Sequence, residues 1–225
     1  MSELKQLKKE LINLKEHPQS IISCLTLSAQ QGNAGAQYNL GDMYRTGQGV
    51  KKDDKEAVRW YRLAAEQGHT QSQFTLGCLY LHGRGIKKDY KEAFNLFKLS
   101  AEQGYADAQI NLGNMYSYGK GVDKDSKEAI RWLELSADQG YVGGQWNLGL
   151  IYYYGLGVEQ DDKKAVKWYK LAAKQGHGMA QNNLGYMYEY GKGIKQDNKK
   201  AAKWYQLAAE QGLKEAKHNL NMMKG

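Results

Sequence analysis

The side chains that could do chemistry in this chain are few, and their spacing does not favour a catalytic site. A nucleophile needs an activating base within hydrogen-bond reach, and no Ser-x-x-Lys motif opens a helix at a plausible pocket. Cys24 and Cys78 match no metal or redox spacing, and we expect both thiols to be reduced. The possible bases are His17, His69, His82, His177 and His218. We predict that the protein is not an enzyme and has no cofactor and no bound metal.

Carboxylates recur at one position ahead of each amphipathic segment, as Asp53, Asp89, Asp125, Asp161 and Asp197. Glutamate follows three residues later in three of these places, as Glu56, Glu92 and Glu128. Aspartate followed by glutamate at this spacing is typical of a capping box at a helix N-terminus. Lys164 and Lys200 replace the glutamate later in the chain, where only the aspartate cap is expected. We interpret these acids as helix caps and not as paired catalytic acids.

A Gly-x-Gly pair also recurs, beginning at Gly47, Gly83, Gly119, Gly155 and Gly191. A phosphate-binding glycine loop follows a strand and leads directly into a helix. Here each pair follows the last apolar position of a predicted helix. A glycine at that place supplies the left-handed conformation that ends many helices. We therefore predict turns and no phosphate site.

All these features recur because the chain repeats itself every 36 residues without an insertion or deletion. We call the residues that share one position of the repeat a column. One column consists of leucine throughout: Leu40, Leu76, Leu112, Leu148, Leu184 and Leu220. His69 and His177 share a column three units apart, so they cannot converge on one site. A period of this length marks a repeat solenoid, in which each unit buries its apolar face against its neighbours. We predict an all-α, right-handed α/α superhelical solenoid of 36-residue helix-turn-helix repeats.

Each unit is predicted to contain two helices, A and B. Ala36, Leu40 and Tyr44 have the spacing of one helical stripe and belong to helix A. Gly41 and its equivalents interrupt helix A at a cost of about 1 kcal/mol relative to alanine, which suggests that another backbone passes close by. In helix B, Trp60 and its equivalents lie beside paired alanines, so we assign them to the core.

The two ends of the chain depart from the repeat. Residues 1–32 are predicted to be a degenerate capping repeat, residues 33–212 five full repeats, and residues 213–225 a capping helix. Pro18 falls in the first turn of the degenerate unit's helix B, where proline is tolerated. The heptad-like leucines Leu4, Leu7, Leu11 and Leu14 are too few for a coiled coil, so capping is favoured over dimerisation.

Composition limits the remaining classes of function. Lysine and arginine exceed the acids and give a net charge of +8, spread over every unit. A solvated outer face explains this charge, and an acidic partner or weak attraction to nucleic acid is the alternative. No stretch is long and apolar enough to span a membrane. The N-terminus lacks signal-peptide features, so we expect a cytoplasmic protein, or a periplasmic or secreted one if the sequence is a mature form.

The segment AQYNLGDMYRTGQGVKKDDKEAVRWYRLAAEQGH, residues 36–69, resembles the Sel1-like repeat, a relative of the tetratricopeptide repeat. The resemblance covers about residues 33–225 and implies an adaptor that gathers other proteins. Lysine or an acid stands where the family often has proline in the loop between the helices, as at Lys51. A cysteine-rich branch of the family is linked to penicillin binding and hydrolysis, but this chain lacks its cysteines.

By analogy with related solenoids, helix A lines a concave groove in which a partner binds. The predicted groove residues are Tyr38, Asp42, Arg45, Phe74, Leu81, Asn111, Trp146, Asn147, Leu150, Tyr153, Asn183, Tyr186 and Glu189. The asparagines are expected to bind a ligand's backbone. A further column, His82, Tyr118, Tyr154 and Tyr190, is expected to form an aromatic edge. The alternative is that these side chains lie partly beneath the next helix A and are not available to a partner.

We therefore predict a monomeric protein-interaction scaffold that binds another protein or peptide, as an adaptor in bacterial signalling or secretion. A toxin-neutralising immunity protein is the alternative within the same class. A β-lactam-binding hydrolase and a nucleic-acid-binding protein are the alternatives from other classes. Nucleic-acid binding is disfavoured because the basic residues favour helix B, whereas the aromatic residues favour helix A and the core.

Overall fold

Every regular element among residues 18–223, the part of the chain that the computed structural model describes, is an α-helix. The helices are α1 (Pro18–Gln30), α2 (Ala34–Thr46), α3 (Asp54–Glu66), α4 (Thr70–His82), α5 (Tyr90–Glu102), α6 (Ala106–Tyr118), α7 (Ser126–Asp138), α8 (Val142–Tyr154), α9 (Asp162–Lys174), α10 (Gly178–Tyr190), α11 (Asn198–Glu210) and α12 (Lys214–Met222). The prediction of an all-α chain of repeated helix pairs is confirmed.

The helices form two units. The first ends at Tyr105 and contains α1–α5, and the second begins at Ala106 and contains α6–α12. Within each unit, a helix packs mainly against the helices that precede and follow it in the chain. We call α2, α4, α6, α8 and α10 the first helices of their repeats, and α3, α5, α7, α9 and α11 the second helices.

The predicted helix ends are present, with one correction. Gly47 ends α2 in the left-handed conformation, at φ +78°, and Asp53 caps α3 by accepting from the backbone N–H groups of Lys55 and Glu56. The reciprocal half of the capping box is not formed. The backbone N–H of Asp53 donates to the carbonyl of Tyr44 at 2.9 Å, and Glu56 pairs instead with Arg59. The same aspartate-to-tyrosine backbone bond recurs in every later repeat and fixes the loop between the paired helices.

The core lies where the second helix of each repeat packs on its first helix. Trp60, Trp132 and Trp168 are buried as predicted, whereas Trp204 is half-buried. The column after the tryptophans is buried more deeply still, at 0–1% exposed: Tyr61, Phe97, Leu133, Tyr169 and Tyr205. This column explains the glycines inside the first helices.

A Cβ atom added at Gly41 would lie 2.8 Å from the ring of Tyr61, and one at Gly77 would meet Phe97 in the same way. The neighbour that requires glycine is therefore a large side chain. The prediction that another backbone passes close by is wrong for these positions.

Buried glutamines join successive helices, a feature that the repeat pattern did not predict. Gln73 on α4 is 4% exposed. Its amide donates to the carbonyl of Ala65 on α3 at 3.2 Å, and its oxygen accepts from Gln103, at the end of α5, at 2.7 Å. Four further pairs have the same spacing: Gln37–Gln67, Gln109–Gln139, Gln145–Gln175 and Gln181–Gln211. Because a buried amide is costly unless it is paired, these bonds fix the register of each helix pair.

The structure describes part of the two chain ends for which capping was predicted. Pro18 begins α1, as expected for the first turn of a helix. At the other end, Ala216 and Leu220 are buried on the predicted closing helix, α12. The predictions for residues 1–17, including the leucines at 4, 7, 11 and 14, and those for residues 224 and 225 lie outside the described residues.

Candidate partner-binding site

All thirteen predicted groove residues lie on the first helices α2, α4, α6, α8 and α10. Arg45 is exposed, and the other twelve are partly buried. Tyr38, Asp42, Arg45, Phe74 and Leu81 belong to the first unit, and the remaining eight belong to the second. Five of them belong to two clusters of different chemistry: Asp42 and Arg45 in the first unit, and Tyr153, Asn183 and Tyr186 in the second.

In the first unit, Asp42, Arg45 and Tyr61 form what we call the Asp42 cluster. Arg45 Nη2 lies 2.8 Å from Asp42 Oδ1, and the Tyr61 hydroxyl donates to the same oxygen at 2.6 Å. Arg45 Nε donates to the Tyr61 oxygen at 3.1 Å. Burial and the Asp42 carboxylate both raise the pKa of Tyr61. Asp42 and Arg45, predicted to bind a partner, are therefore already bound to each other and to a core tyrosine.

Three predicted groove aromatics pack against the residue that precedes the next first helix. Tyr38 contacts His69 with ring centroids 5.2 Å apart, and Trp146 contacts His177 at 5.1 Å. Phe74 has the same relation to Tyr105. The indole N–H of Trp146 is buried without a hydrogen-bond partner. These rings are therefore partly used in holding one repeat to the next.

His69 and His177 act as helix caps. The Nδ1 atom of His69 accepts from the backbone N–H of Ser72 at 3.3 Å, and that of His177 accepts from Ala180 at 3.2 Å. Burial lowers the pKa of both imidazoles. Each ring is thus held in the neutral form that can accept a hydrogen bond.

In the second unit, side chains from α8, α9 and α10 surround a cavity of about 260 Å³. We call its lining the Tyr153 cluster: Tyr153, Tyr154, Tyr169, Asn182, Asn183, Tyr186 and Met187. The Tyr153 and Tyr186 rings meet edge to face, with centroids 6.2 Å apart. The ammonium group of Lys192 lies 5.3 Å from the first ring centroid and 5.4 Å from the second.

Tyr169 lines this cavity and is 1% exposed. Its hydroxyl is buried and has no acceptor for its proton. Burial raises the pKa of that hydroxyl, while the side-chain amide of Asn183, directed at the phenol oxygen, opposes the rise. The repeat pattern gave no sign of this buried hydroxyl.

The predicted asparagines behave differently from one another. The Asn111 amide donates to the carbonyl of Asp107 in its own helix at 2.9 Å, and Asn147 reaches Asn114 at 3.4 Å. Asn183 lines the cavity. Leu150 packs against the core of the second unit, and Glu189 accepts from the Tyr205 hydroxyl at 2.7 Å.

A column of tyrosines near the C-terminal ends of the first helices is exposed in the second unit. Tyr118 is 72% exposed, Tyr154 64% and Tyr190 59%. His82 has the equivalent position in the first unit and is also exposed. Tyr190 packs on Tyr186 with ring centroids 4.6 Å apart, which joins this column to the Tyr153 cluster.

Among residues 18–223, no group of three or more His, Cys, Asp or Glu side chains is placed to hold a metal ion. No helix in that part of the chain combines the length and apolar character needed to cross a membrane.

Comparison with known proteins identifies the repeat. The Sel1 repeat family matches residues 34–69, 70–105, 106–141, 142–177 and 178–213, whereas no curated protein matches the chain. A Sel1 repeat protein from Oxalobacter formigenes is 35% identical, with a TM-score of 0.82 over 93% of this chain and 84% of that one. A protective antigen of uropathogenic Escherichia coli, described as having an SLR fold, is 38% identical, with a TM-score of 0.86.

The alignment with that antigen covers 88% of this chain but only 43% of the antigen. An immunity protein from Pseudomonas aeruginosa is 23% identical, with a TM-score of 0.54 over 88% of this chain and 75% of that one, and the likeness concerns the fold alone. Five matched repeats that cover most of the chain establish that this protein belongs to the Sel1 repeat family.

Proposed function

We propose that this protein is a non-catalytic scaffold whose first helices bind a protein or peptide partner. The observation that carries the proposal is the group of exposed and half-buried aromatic side chains on α8 and α10, around the cavity of the Tyr153 cluster. Exposed aromatic patches on proteins tend to mark interaction sites, and tyrosine is enriched among the residues that dominate binding energy.

The variation between repeats supports the same surface. The leucine, glutamine and glycine positions of the first helices are constant because they build the core. The positions of Asp42 and Arg45 change in every repeat and become Leu150 and Tyr153 on α8. Repeats that share a core but differ at these positions can present a different surface to a partner without a change in fold.

Within this class we favour an adaptor in a bacterial signalling or secretion assembly, as the family resemblance implies. Sel1 repeats generally build scaffolds without catalytic activity, which supports a binding role over β-lactam hydrolysis. The likeness to an immunity protein concerns the fold alone. A toxin as partner is therefore a possible outcome of the experiment below and not its premise.

The experiment is affinity capture from a lysate of the native organism, with two variants beside the wild type. Tyr154→Ser/Tyr190→Ser removes two exposed aromatic side chains from the first helices. Leu135→Ser/Leu171→Ser removes two exposed apolar side chains from the second helices and is the matched control.

A protein that the wild type and the control retain, and that the tyrosine variant loses, supports the proposal. A partner that the control alone loses would place the binding surface on the second helices. Salt-sensitive retention of nucleic acid, or β-lactam turnover by the purified protein, would replace the proposal with one of the alternative classes.

A further inference from the structure

We propose that the cavity of the Tyr153 cluster receives a carboxylate group of the partner protein, which accepts a hydrogen bond from the Tyr169 hydroxyl. This inference rests on the proposed function, because it assumes that the partner lies along α8 and α10. It adds the chemistry of one contact, which the scaffold proposal leaves open.

Three repeats of this chain have tyrosine in the Tyr169 column, and two of them supply that tyrosine with a carboxylate. The Tyr61 hydroxyl donates to Asp42 at 2.6 Å, and the Tyr205 hydroxyl donates to Glu189 at 2.7 Å. Each acid lies on the first helix of the same repeat. A hydrogen bond to a charged acceptor is stronger than a neutral one, so each acid stabilises a phenol that burial would otherwise penalise.

The repeat of Tyr169 lacks that acid. The position of Asp42 is Leu150, and the position of Glu189 is Tyr153. The Tyr169 side chain is as deeply buried as those of Tyr61 and Tyr205, but its hydroxyl has no acceptor. Where the column contains Phe97 or Leu133, the same two positions hold no acid either. The repeat of Tyr169 is therefore the one repeat that has the tyrosine without the acid.

The charges around the cavity suit an anion. None of its seven lining residues is acidic, and three of them are tyrosines besides Tyr169. The Lys192 ammonium lies above the rings of Tyr153 and Tyr186. Two acids lie outside the lining: Glu189 on α10, which is bound to Tyr205, and Asp162 on α9, which accepts from Gln160 at 3.1 Å and raises the pKa of Tyr169. An incoming carboxylate would therefore meet a buried phenol donor and a lysine cation without a competing acid in the lining.

Access to the hydroxyl requires movement of side chains at the mouth of the cavity. Tyr154 is 64% exposed and can rotate towards solvent. Tyr153 is half-buried and packs against the core of the second unit and the ring of Tyr186, so its displacement gives up those contacts. Their displacement replaces a buried, unpaired hydroxyl with a charge-assisted hydrogen bond. The energetic reason for binding is thus already present in the unbound chain.

The test is an NMR titration of the full chain carrying 13C-methyl methionine. Met187 lines the cavity, and Met115, buried in the same unit, is an internal control outside the lining. The probes are acetyl-Gly-Ala-Glu-Ala-Gly-amide and the same peptide with glutamine in place of glutamate. We expect a saturable shift of Met187 but not of Met115, and about tenfold tighter binding of the glutamate peptide.

Tyr169→Phe should abolish that preference while leaving the fold intact, because it removes only the unpaired hydroxyl. Equal binding of the two peptides, an unchanged preference in Tyr169→Phe, or no shift of Met187 would overturn the inference. Sodium acetate is the third probe. If acetate binds as tightly as the glutamate peptide, the site serves a free small carboxylate and the assignment to a protein partner is wrong.

A second variant introduces the missing acid on α8 of the chain itself. Tyr153→Glu places a carboxylate at the position of Glu189, where it should bind Tyr169 and exclude the glutamate peptide. Tyr153→Gln is the uncharged control and should still admit the peptide. Unchanged peptide affinity in Tyr153→Glu would contradict the proposed contact.

These results are separable from a failure of the scaffold proposal. If Tyr154→Ser/Tyr190→Ser loses the partner but Tyr169→Phe keeps the preference for the glutamate peptide, only the carboxylate contact is refuted. If Tyr154→Ser/Tyr190→Ser captures the partner as well as the wild type does, the proposed binding surface on the first helices is refuted.

Discussion

The Asp42 cluster in the first unit and the Tyr153 cluster in the second each contain a core tyrosine at the same position of the repeat, but its hydroxyl is paired in the first cluster and unpaired in the second. In the first, a carboxylate and a guanidinium on α2 satisfy the buried hydroxyl of Tyr61. In the second, Leu150 and Tyr153 stand in their places, and the hydroxyl of Tyr169 is unpaired beneath a cavity. Two substitutions on a surface stripe thus separate a structural contact from a candidate binding site.

The comparison shows how a repeat protein can change function without changing fold. The tyrosine, its glycine neighbour and the buried glutamines are retained in both repeats, because they set the packing of the paired helices. The polar partner of the tyrosine lies outside that packing and is free to vary. Mutations in the Asp42 cluster should therefore lower stability more than the equivalent mutations in the Tyr153 cluster.

The largest effect is expected from Asp42→Ala. This change leaves the Tyr61 hydroxyl buried without its acceptor and removes the ion pair of Arg45. We expect the free energy of unfolding to fall by about 2–3 kcal/mol, measured by urea denaturation. Asp138→Ala removes an exposed acid at the end of α7 and should change stability by less than about 0.5 kcal/mol. Equal effects of the two changes would show that the Asp42 cluster is not stabilising.

The hydroxyl deletions should separate the two clusters directly. Tyr61→Phe removes a hydrogen bond to a charged acceptor and should cost about 1–2 kcal/mol. Tyr169→Phe removes a hydroxyl that has no partner and should leave the unfolding free energy within about 0.5 kcal/mol of the wild type. Urea denaturation of both variants at neutral pH measures the difference. A cost at Tyr169 equal to that at Tyr61 would mean that Tyr169 has an acceptor in the unbound chain.

The sequence allowed the scaffold to be predicted because the scaffold depends on properties that repeat. The glycine after Thr46 recurs behind the first helix of every full repeat, and the aspartate before Asp54 recurs ahead of every second helix. Helical periodicity also placed the tryptophans in the core. These features are local, so one repeat contains all the information needed to interpret them.

The site could be predicted only in outline because it depends on contacts between helices. Asp42 and Arg45 looked like an open polar surface, since nothing in the linear pattern shows that the hydroxyl of Tyr61 reaches them. The linear pattern likewise does not show that glutamines such as Gln73 are buried and hydrogen-bonded to neighbouring helices. One signal was available: acids at the positions of Asp42 or Glu189 occur only in repeats with tyrosine at the position of Tyr61.

At alkaline pH, Tyr61 and Tyr169 should affect the free energy of unfolding in the same way, although their hydroxyl deletions differ at neutral pH. Burial raises the pKa of both Tyr61 and Tyr169 above the ordinary value of 10.0. Above about pH 10 the unfolded chain therefore binds fewer protons than the folded chain, and stability falls by up to about 1.4 kcal/mol per pH unit for each tyrosine. Either Phe variant should flatten this decline, as measured by urea denaturation between about pH 9 and 11. Tyr118→Phe, at an exposed tyrosine, is the matched control, and an equal flattening there would contradict the assignment.

The smallest effect concerns the histidine caps, of which each unit has one. Burial lowers the pKa of His69 and His177 below the ordinary value of 6.5. As the pH falls below that value, the unfolded chain takes up protons that the folded chain resists, so stability declines. Protonation also removes the lone pair with which Nδ1 accepts from the helix N-terminus. Protonation of these two caps should therefore lower the stability of the first and second units alike in mild acid.

Asn33 occupies the same column and caps α2 by accepting from Ala36 at 2.8 Å, so the chain itself provides the substitution that tests this. We expect His177→Asn to keep the cap at neutral pH and to reduce the loss of unfolding free energy between about pH 7 and 5. His69→Asn should do the same in the first unit, and the double variant should show the sum, because the caps lie in separate repeats. His82→Asn alters an exposed histidine that caps no helix N-terminus and serves as the control. If the free energy of unfolding of His177→Asn falls with acid as steeply as that of the wild type, the His177 imidazole is not the acid-sensitive group.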